Sequence, residues 1–326
     1  YDISLYKIIG EKTFVYNPAR INVGSIGYSS NLKNIIVSSL YTCFKTTDQI
    51  FDNFLFGFIK SFKFNKQVLR NVEGGVRDYL FYENFSKIIL PLPPLREQEK
   101  IASILTQWDS FIEEQEKLIE EKRENKELLL EIILSKNSNW KKVRIEKLIK
   151  ESKDPGSNGK EAKKLTVKLY GKGVYAKDEK GKGSENTKYF IRRKGQFIYS
   201  KLDFLNGAFG IIPEELDGYE TTSDLPTFDF SLDLIEPNFF LEVVSRIAFY
   251  KRIGGNAIGS RKAVRVSPSE FLKSYFYLPP LEEQQKITYL LSKLNEEILL
   301  QQDKLNLLRE EKKILMQLLL TGIIRV

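Results

Sequence analysis

The stretch Leu92-Pro93-Pro94-Leu95-Arg96-Glu97-Gln98-Glu99-Lys100-Ile101 decides how this chain is read, because it occurs twice. It returns as Leu278-Pro279-Pro280-Leu281-Glu282-Glu283-Gln284-Gln285-Lys286-Ile287, at an offset of 186 residues. The match continues without a gap into Arg123-Glu124-x-Lys126 and Arg309-Glu310-x-Lys312. Both copies end in apolar runs, Leu128-Leu129-Leu130 and Ile314-Leu315-Met316. Such an internal repeat sets the architecture before any single residue is considered.

Each copy predicts one long helix. The paired prolines mark where it begins, since proline is excluded from a helix interior and keeps the residue before it extended. Glu97 and Glu283 fall in the first turn, where a negative charge suits the helix dipole. Apolar residues then recur at alternating steps of three and four. The first copy places Ile101, Leu105, Trp108, Ile112, Ile119, Leu129 and Ile133 on one stripe. The second places Ile287, Leu291, Leu294, Ile298, Leu305, Leu308, Leu315 and Leu319 there. That is the seam of a coiled coil. Helices of about 40 residues would be about 60 Å long at 1.5 Å per residue. Gln115 and Gln301 interrupt the seam near the middle of each helix, and antiparallel pairing would set them face to face. A polar seam residue can fix register. The bland alternative is that glutamine is tolerated at a partly exposed position.

The segments before the helices also correspond. Phe14-Val15-Tyr16-Asn17 resembles Phe197-Ile198-Tyr199-Ser200, and Phe85 and Phe271 hold matching places before the proline pairs. On this alignment Tyr1 falls near Ser184, so the first unit is expected to lack the counterpart of Trp140 to Gly183. The organisation that follows is a first domain over 1–90, N-terminally incomplete, and a first long helix over 91–137. A second domain over 138–276 and a second helix over 277–326 complete it. Gln196 to Tyr199 has the aromatic and β-branched bias of a buried strand, while Phe239 to Val244 fits a strand or a short helix. The domains are expected to mix strands and helices, an α+β class.

Composition narrows the chemistry. The chain has 326 residues, 42% of them hydrophobic, which suffices for cores. It lacks the roughly 18 consecutive apolar residues of a membrane span and begins without Met or a signal segment. A single cysteine, Cys43, rules out a disulfide framework and fits a reducing cytoplasm. There is no histidine, which removes Ser-His-Asp, Cys-His and His-based zinc sites together. No phosphate-binding loop of the G-x-x-x-x-G-K-[ST] type occurs, and Gly171-Lys172-Gly173 reads as a turn. Leu92-Pro93-Pro94-Leu95 has neither the amide nor the aromatic of an adenine methyltransferase tetrapeptide. Asp203, Asp224, Asp229 and Glu242 show no nuclease-like spacing and read as solvated or capping acids. The chain is expected to be non-catalytic and to bind no cofactor itself.

Charge points to a polyanion. Residues 1–90 carry 11 Lys and Arg against 7 Asp and Glu, and residues 140–276 carry 26 against 18. The rest, mostly helix, carries 14 against 18, although the whole chain is at +8. Basic domains on acidic helices suit a phosphate-facing role. Candidate DNA contacts are basic residues interleaved with aromatics and glycines. One cluster holds Lys168, Tyr170, Lys172 and Lys177, and a second holds Arg192 and Arg193 with Lys201. A third, Arg261, Lys262 and Arg265, corresponds to Arg70 and Arg77 beside Gly74-Gly75 in the first unit. Arginine can take a guanine edge with two bonds or clamp a phosphate, although for any one lysine a solvated charge is the commoner role.

The doubled Pro-Pro-Leu-x-Glu-Gln helix, each copy after a variable domain, resembles the specificity subunit of Type I restriction–modification systems. The second unit also follows that family's pattern through Trp140-Lys141-Lys142-Val143, Tyr170-Gly171-Lys172-Gly173-Val174 and Asn206-Gly207-Ala208. The resemblance implies two pseudo-symmetric target recognition domains joined by two long helices that form an antiparallel coiled coil. Each domain would read one half of a split, asymmetric site on double-stranded DNA, and the helices would set the spacing. It further implies two docked methyltransferase subunits, which carry S-adenosylmethionine, and a motor-nuclease subunit that can join them. Two other classes fit the residues less fully. One is a coiled-coil scaffold whose basic heads bind nucleic acid without sequence preference. The other is the recognition part of a fused restriction–methylation enzyme.

Overall fold

The computed structural model describes residues 4–74, 78–135, 140–177, 183–254 and 265–326. The chain forms two compact units, residues 1–121 with 298–326 and residues 122–297.

In the first unit the chain runs through β1 (Lys7–Ile9), β2 (Thr13–Tyr16), β3 (Ile26–Ser29), β4 (Ile35–Val37) and β5 (Thr42–Phe44). Then come α1 (Asp52–Ile59), α2 (Phe62–Asn71), α3 (Tyr82–Phe85) and the long helix α4 (Leu95–Ser135). β2 lies between β3 and β5, antiparallel to both, with Phe14 opposite Tyr28 on one side and Phe44 on the other. Residues opposed in this way share a face, so the three rings stack at 4.5 and 5.1 Å. Tyr16 reaches the same core and stacks on Phe85 at 5.0 Å. Phe54, Phe58, Phe64 and Val68 seat α1 and α2 on this core, and Ser61 caps α2 by accepting from Phe64 N–H. Ile101, Ala102 and Leu105 of α4 close it, together with Leu319 and Leu320 of the second long helix (Leu281–Thr321).

The second unit begins with β6 (Lys141–Arg144), β7 (Ile149–Ser152), β8 (Pro155–Asn158), β9 (Leu165–Val167) and β10 (Val174–Ala176). Next are β11 (Lys188–Ile191), β12 (Phe197–Tyr199), β13 (Phe209–Ile211), β14 (Glu220–Thr221) and β15 (Thr227–Phe230). It ends with α5 (Pro237–Ser245), α6 (Ile247–Gly254), α7 (Pro268–Lys273), β16 (Tyr275–Leu278) and α8, the second long helix. β12 is an inner strand of an antiparallel sheet ordered β13-β12-β15-β7. Its side chains alternate between two cores, as the strand period requires. Phe197 and Tyr199 enter an aromatic core around Phe271, whereas Ile198 joins Leu165, Val167 and Val174 beneath the β9–β10 hairpin.

The run Phe239 to Val244 is helical. Glu236 accepts from Phe239 N–H at the helix start, where Pro237 is pre-shaped for the first turn. The helical period then buries Phe239, Phe240, Val243 and Val244 together.

Within the first unit α4 and α8 run antiparallel. Asp109 meets Lys312, Glu116 meets Arg309 and Gln115 meets Gln301, so rising numbers on one helix face falling numbers on the other, and Glu97 meets Arg325 just past the end of α8. Gln115 Nε2 donates to Gln301 Oε1 at 2.9 Å. Ile101, Leu105, Ile119, Ile287, Leu291 and Leu305 are buried, and Trp108, Ile112, Leu129, Leu294, Ile298, Leu308 and Leu315 are half-buried. Leu130, one position beyond the expected Leu129, is the buried leucine of its turn. Between Ile119 and Leu129 the stripe is carried by half-buried Lys122 and Lys126. Within the second unit these pair with Glu297 at 2.6 Å and with Glu242 of α5 at 2.8 Å. Charge thus replaces hydrophobe where an acid stands opposite.

Each long helix is fastened to its domain by one buried glutamine. Gln98 accepts from Phe51 N–H at 2.8 Å and donates to the carbonyls of Gln49 and Pro93 at 3.0 and 2.9 Å. Gln284 accepts from Glu236 N–H at 2.9 Å and donates to the carbonyls of Leu234 and Pro279 at 3.0 and 2.9 Å. Each amide therefore satisfies the backbone at the start of α1 or α5 and just before its own helix.

Candidate nucleic-acid interface

Lys168, Tyr170 and Lys172 lie on the loop that closes the β9–β10 hairpin, and Lys177 follows it. Leu165, Val167 and Val174 are buried in the stem, so its outward residues are left to solvent. Lys168 Nζ sits 3.9 Å from the centre of the Tyr175 ring, and Tyr170, Lys172 and Lys177 are exposed. The loop is tied to the turn after β12: Tyr170 N–H donates to Asn206 O and Gly171 N–H to Gly207 O, both at 2.8 Å. Gly207 has φ +71°, and a Cβ there would stand 3.3 Å from Tyr170 Cα, so glycine is required on both counts.

Lys201 enters the same region from β12. Its N–H donates to Asp224 O at 3.0 Å and its carbonyl accepts from Val266 N–H at 2.9 Å. Arg265 Nη1 lies 3.3 Å from Asp224 Oδ1, both side chains being mostly exposed. An exposed pair of this kind is weak and can release its arginine to a phosphate. The structure thus joins Lys201 and Arg265 through the loop that carries Asp224. Arg261 and Lys262 lie outside the described residues.

Arg192 is not part of any exposed surface, which corrects the expectation that it contacts DNA. It is 1% exposed. Its Nε donates to Thr221 Oγ1 at 2.7 Å and its Nη1 to Thr227 Oγ1 at 2.6 Å and Ser152 O at 3.2 Å. Its Nη2 reaches Leu225 O at 3.2 Å and Thr222 O at 3.5 Å. Burial holds the guanidinium down at a pKa of about 10, partly opposed by the charges of Glu151 and Asp154. Arg192 is a buried staple for the 221–227 segment. Its neighbour Arg193 is exposed, 4.0 Å from Asp217, and Lys194 pairs with Glu214. Lys201 does not join them, because β12 separates the two ends of that expected cluster.

In the first unit Arg70 is exposed on the last turn of α2, and Arg77 lies outside the described residues. Beyond that gap Tyr79 stacks on Phe81 at 5.7 Å with rings 9° from parallel. These two line an open cavity of about 740 Å³ with Arg20, Asn22, Val23 and Leu40. Neither the aromatic pair nor the buried glutamines were picked out in the sequence. Gln98 and Gln284 had a signal, being identical in the two repeat copies, whereas Tyr79 and Phe81 had none.

Residues 6–122 match the family model of the Type I restriction modification DNA specificity domain. That match spans the first domain and α4 as far as residue 122. Over the whole chain the fold is similar to that of solved specificity subunits. The HsdS subunit from Thermoanaerobacter tengcongensis aligns with a TM-score of 0.52 at 16% identity, covering 99% of this chain and 84% of that one. A chain from a study of complex assembly and conformational transition of the type I R-M system aligns at 0.64 and 15% identity, covering 98% and 84%. The Type-I restriction-modification system S subunit from M. genitalium aligns at 0.51 and 14%, covering 96% and 84%. Among the described residues no helix is long and apolar enough to cross a membrane.

Proposed function

We propose that this chain is the DNA-specificity subunit of a Type I restriction–modification complex. Each recognition domain reads one half of a bipartite, asymmetric duplex site, and the two long helices set the distance between the halves. The observation that carries this reading is the antiparallel meeting of the repeat helices at Gln115 and Gln301, in a unit whose domain matches the DNA specificity family. Antiparallel repeats offer two similar surfaces, which suits two copies of one partner, the methyltransferase subunit. S-adenosylmethionine and the methylation chemistry belong to that partner, and a motor-nuclease subunit adds cleavage. This chain positions them. In the second domain Lys168, Lys172, Lys177, Lys201 and Arg265 hold the duplex.

Co-expression with the cognate methyltransferase subunits, followed by long-read mapping of methylated adenines, tests the reading. The expected outcome is one motif of two different half-sites at fixed separation. Equal insertions in α4 and α8 should lengthen the spacer and leave both half-sites unchanged. Altered half-sites would overturn the ruler role. Equal displacement by unrelated duplexes at fixed salt would instead favour a scaffold without sequence preference.

A further inference from the structure

Three residues of the loop closing the β9–β10 hairpin have left-handed backbones: Tyr170 at φ 61°, Gly171 at 66° and Gly173 at 87°. Lys172 N–H reaches back to Leu169 O at 3.4 Å, and Lys168 N–H donates to Gly173 O at 2.9 Å. Tyr170 and Gly171 are therefore the two central residues of a tight turn with positive φ at both. Turns of this kind favour Asn-Gly, because asparagine tolerates the left-handed region and aromatic residues do so poorly. Among the described residues two other non-glycine positions are left-handed, the exposed Lys12 and Asn34, and neither is aromatic.

A bulky residue persists in such a conformation only where its surroundings over-determine it, and such outliers gather at functional sites. The surroundings here are explicit. The stem is buried, and the two N–H groups at the turn are bonded to Asn206 and Gly207. None of this fastening uses the tyrosine ring. It is 75% exposed and makes no hydrogen bond or ring contact among the described residues. The fold would be served better by asparagine or glycine. Lys168, Lys172 and Lys177 lie within seven residues of it along the chain, Lys168 over the Tyr175 ring, and the stretch from 168 to 177 contains no acid.

We infer that Tyr170 is a fixed aromatic probe that stacks on or wedges beside a base of the half-site read by the second domain, while the flanking lysines hold phosphates on either side. This rests on the DNA-reading function proposed above. Stacking on a base is sequence-tolerant in itself, but a wedge favours base steps that unstack easily, so the ring would contribute to selectivity by deformability.

The test uses the complex of the full chain with its methyltransferase subunits and the mapped site. Tyr170→Asn suits the turn and removes the ring, whereas Tyr170→Phe keeps it. The expected result for Tyr170→Asn is an unchanged or raised Tm together with about tenfold weaker binding to the cognate duplex, the scale of one lost base–aromatic stack. Binding to unrelated duplexes should not change, and Tyr170→Phe should retain wild-type affinity. 2-Aminopurine placed along the half-site should report one perturbed step that persists with Tyr170→Phe and vanishes with Tyr170→Asn. Unaltered cognate affinity and probe signal in a well-folded Tyr170→Asn complex would overturn the probe and leave the specificity function standing. A wild-type complex that selects no site would bring down both.

Discussion

Gln98 and Gln284 make the same three bonds in the two units, whereas the outer edges of the same two domains carry different chemistry. Leu80 N–H donates to Pro18 O and Val266 N–H to Lys201 O, so one main-chain link is kept in both. Beside it the first unit has Tyr79 stacked on Phe81, and the second has Arg265 paired with Asp224. Gln67 brackets the backbone of Ile89, and Arg252 donates to Tyr275 O in the equivalent place. Gly24 has nothing within 4 Å of where a Cβ would stand, while Gly207 carries the Tyr170 turn against it. Bonds that hold a domain to its helix are repeated. Side chains that face outward are exchanged, from aromatic and amide in one unit to cationic in the other. On the proposed function, two domains built this way would share a frame and still read different sequences.

The largest expected effect tests the shared part. Gln98→Ala and Gln284→Ala each leave a buried N–H and two carbonyls without partners, at a cost of about 3 kcal/mol. Chemical denaturation should show the two losses equal within about 1 kcal/mol, each in the transition of its own unit. A variant tolerated in one unit only would break the equivalence. Arg192→Met comes next and should act on the second unit alone. It frees several acceptors but also removes the cost of burying a charge, so the net loss is about 2 kcal/mol. Hydrogen exchange should then quicken across 219–227 and stay unchanged in the first unit. Protection lost in both units would mean that Arg192 is no local staple.

The smallest effect sharpens the comparison along the helices. Lys126 and Lys312 hold the same repeat position, but Lys126–Glu242 has side chains 15% and 17% exposed, and Lys312–Asp109 has 17% and 48%. Double-mutant cycles should give coupling of about 1 kcal/mol for the first and about 0.5 kcal/mol for the second, the latter falling further with salt. The reverse order would show that exposure does not govern these pairs.

The repeat, its seam and the seam glutamines Gln115 and Gln301 were legible because they depend on spacing along the chain. So was the β2–β12 correspondence, since a buried central strand needs an apolar run. Arg192 was misread because its partners, Ser152, Thr221 and Thr227, come from distant strands, and three basic residues in a row look like surface. The left-handed backbone of Tyr170 is likewise set by Asn206 and Gly207, far away in sequence. α5 had a local signal, Glu236-Pro237, but the β-type composition of the following residues left strand and helix both open. The lysines at 122 and 126 were passed over since a seam is sought among hydrophobes, and their acids lie on other elements.

Leu319 and Leu320 belong to the core that also holds Phe14 and Phe54. Residues near the start of the chain therefore wait for residues some three hundred positions later before their core is whole. The unit of residues 122–297 is continuous and has all its parts as soon as it leaves the ribosome. Of these two units, the one whose synthesis starts earlier is thus the one completed later.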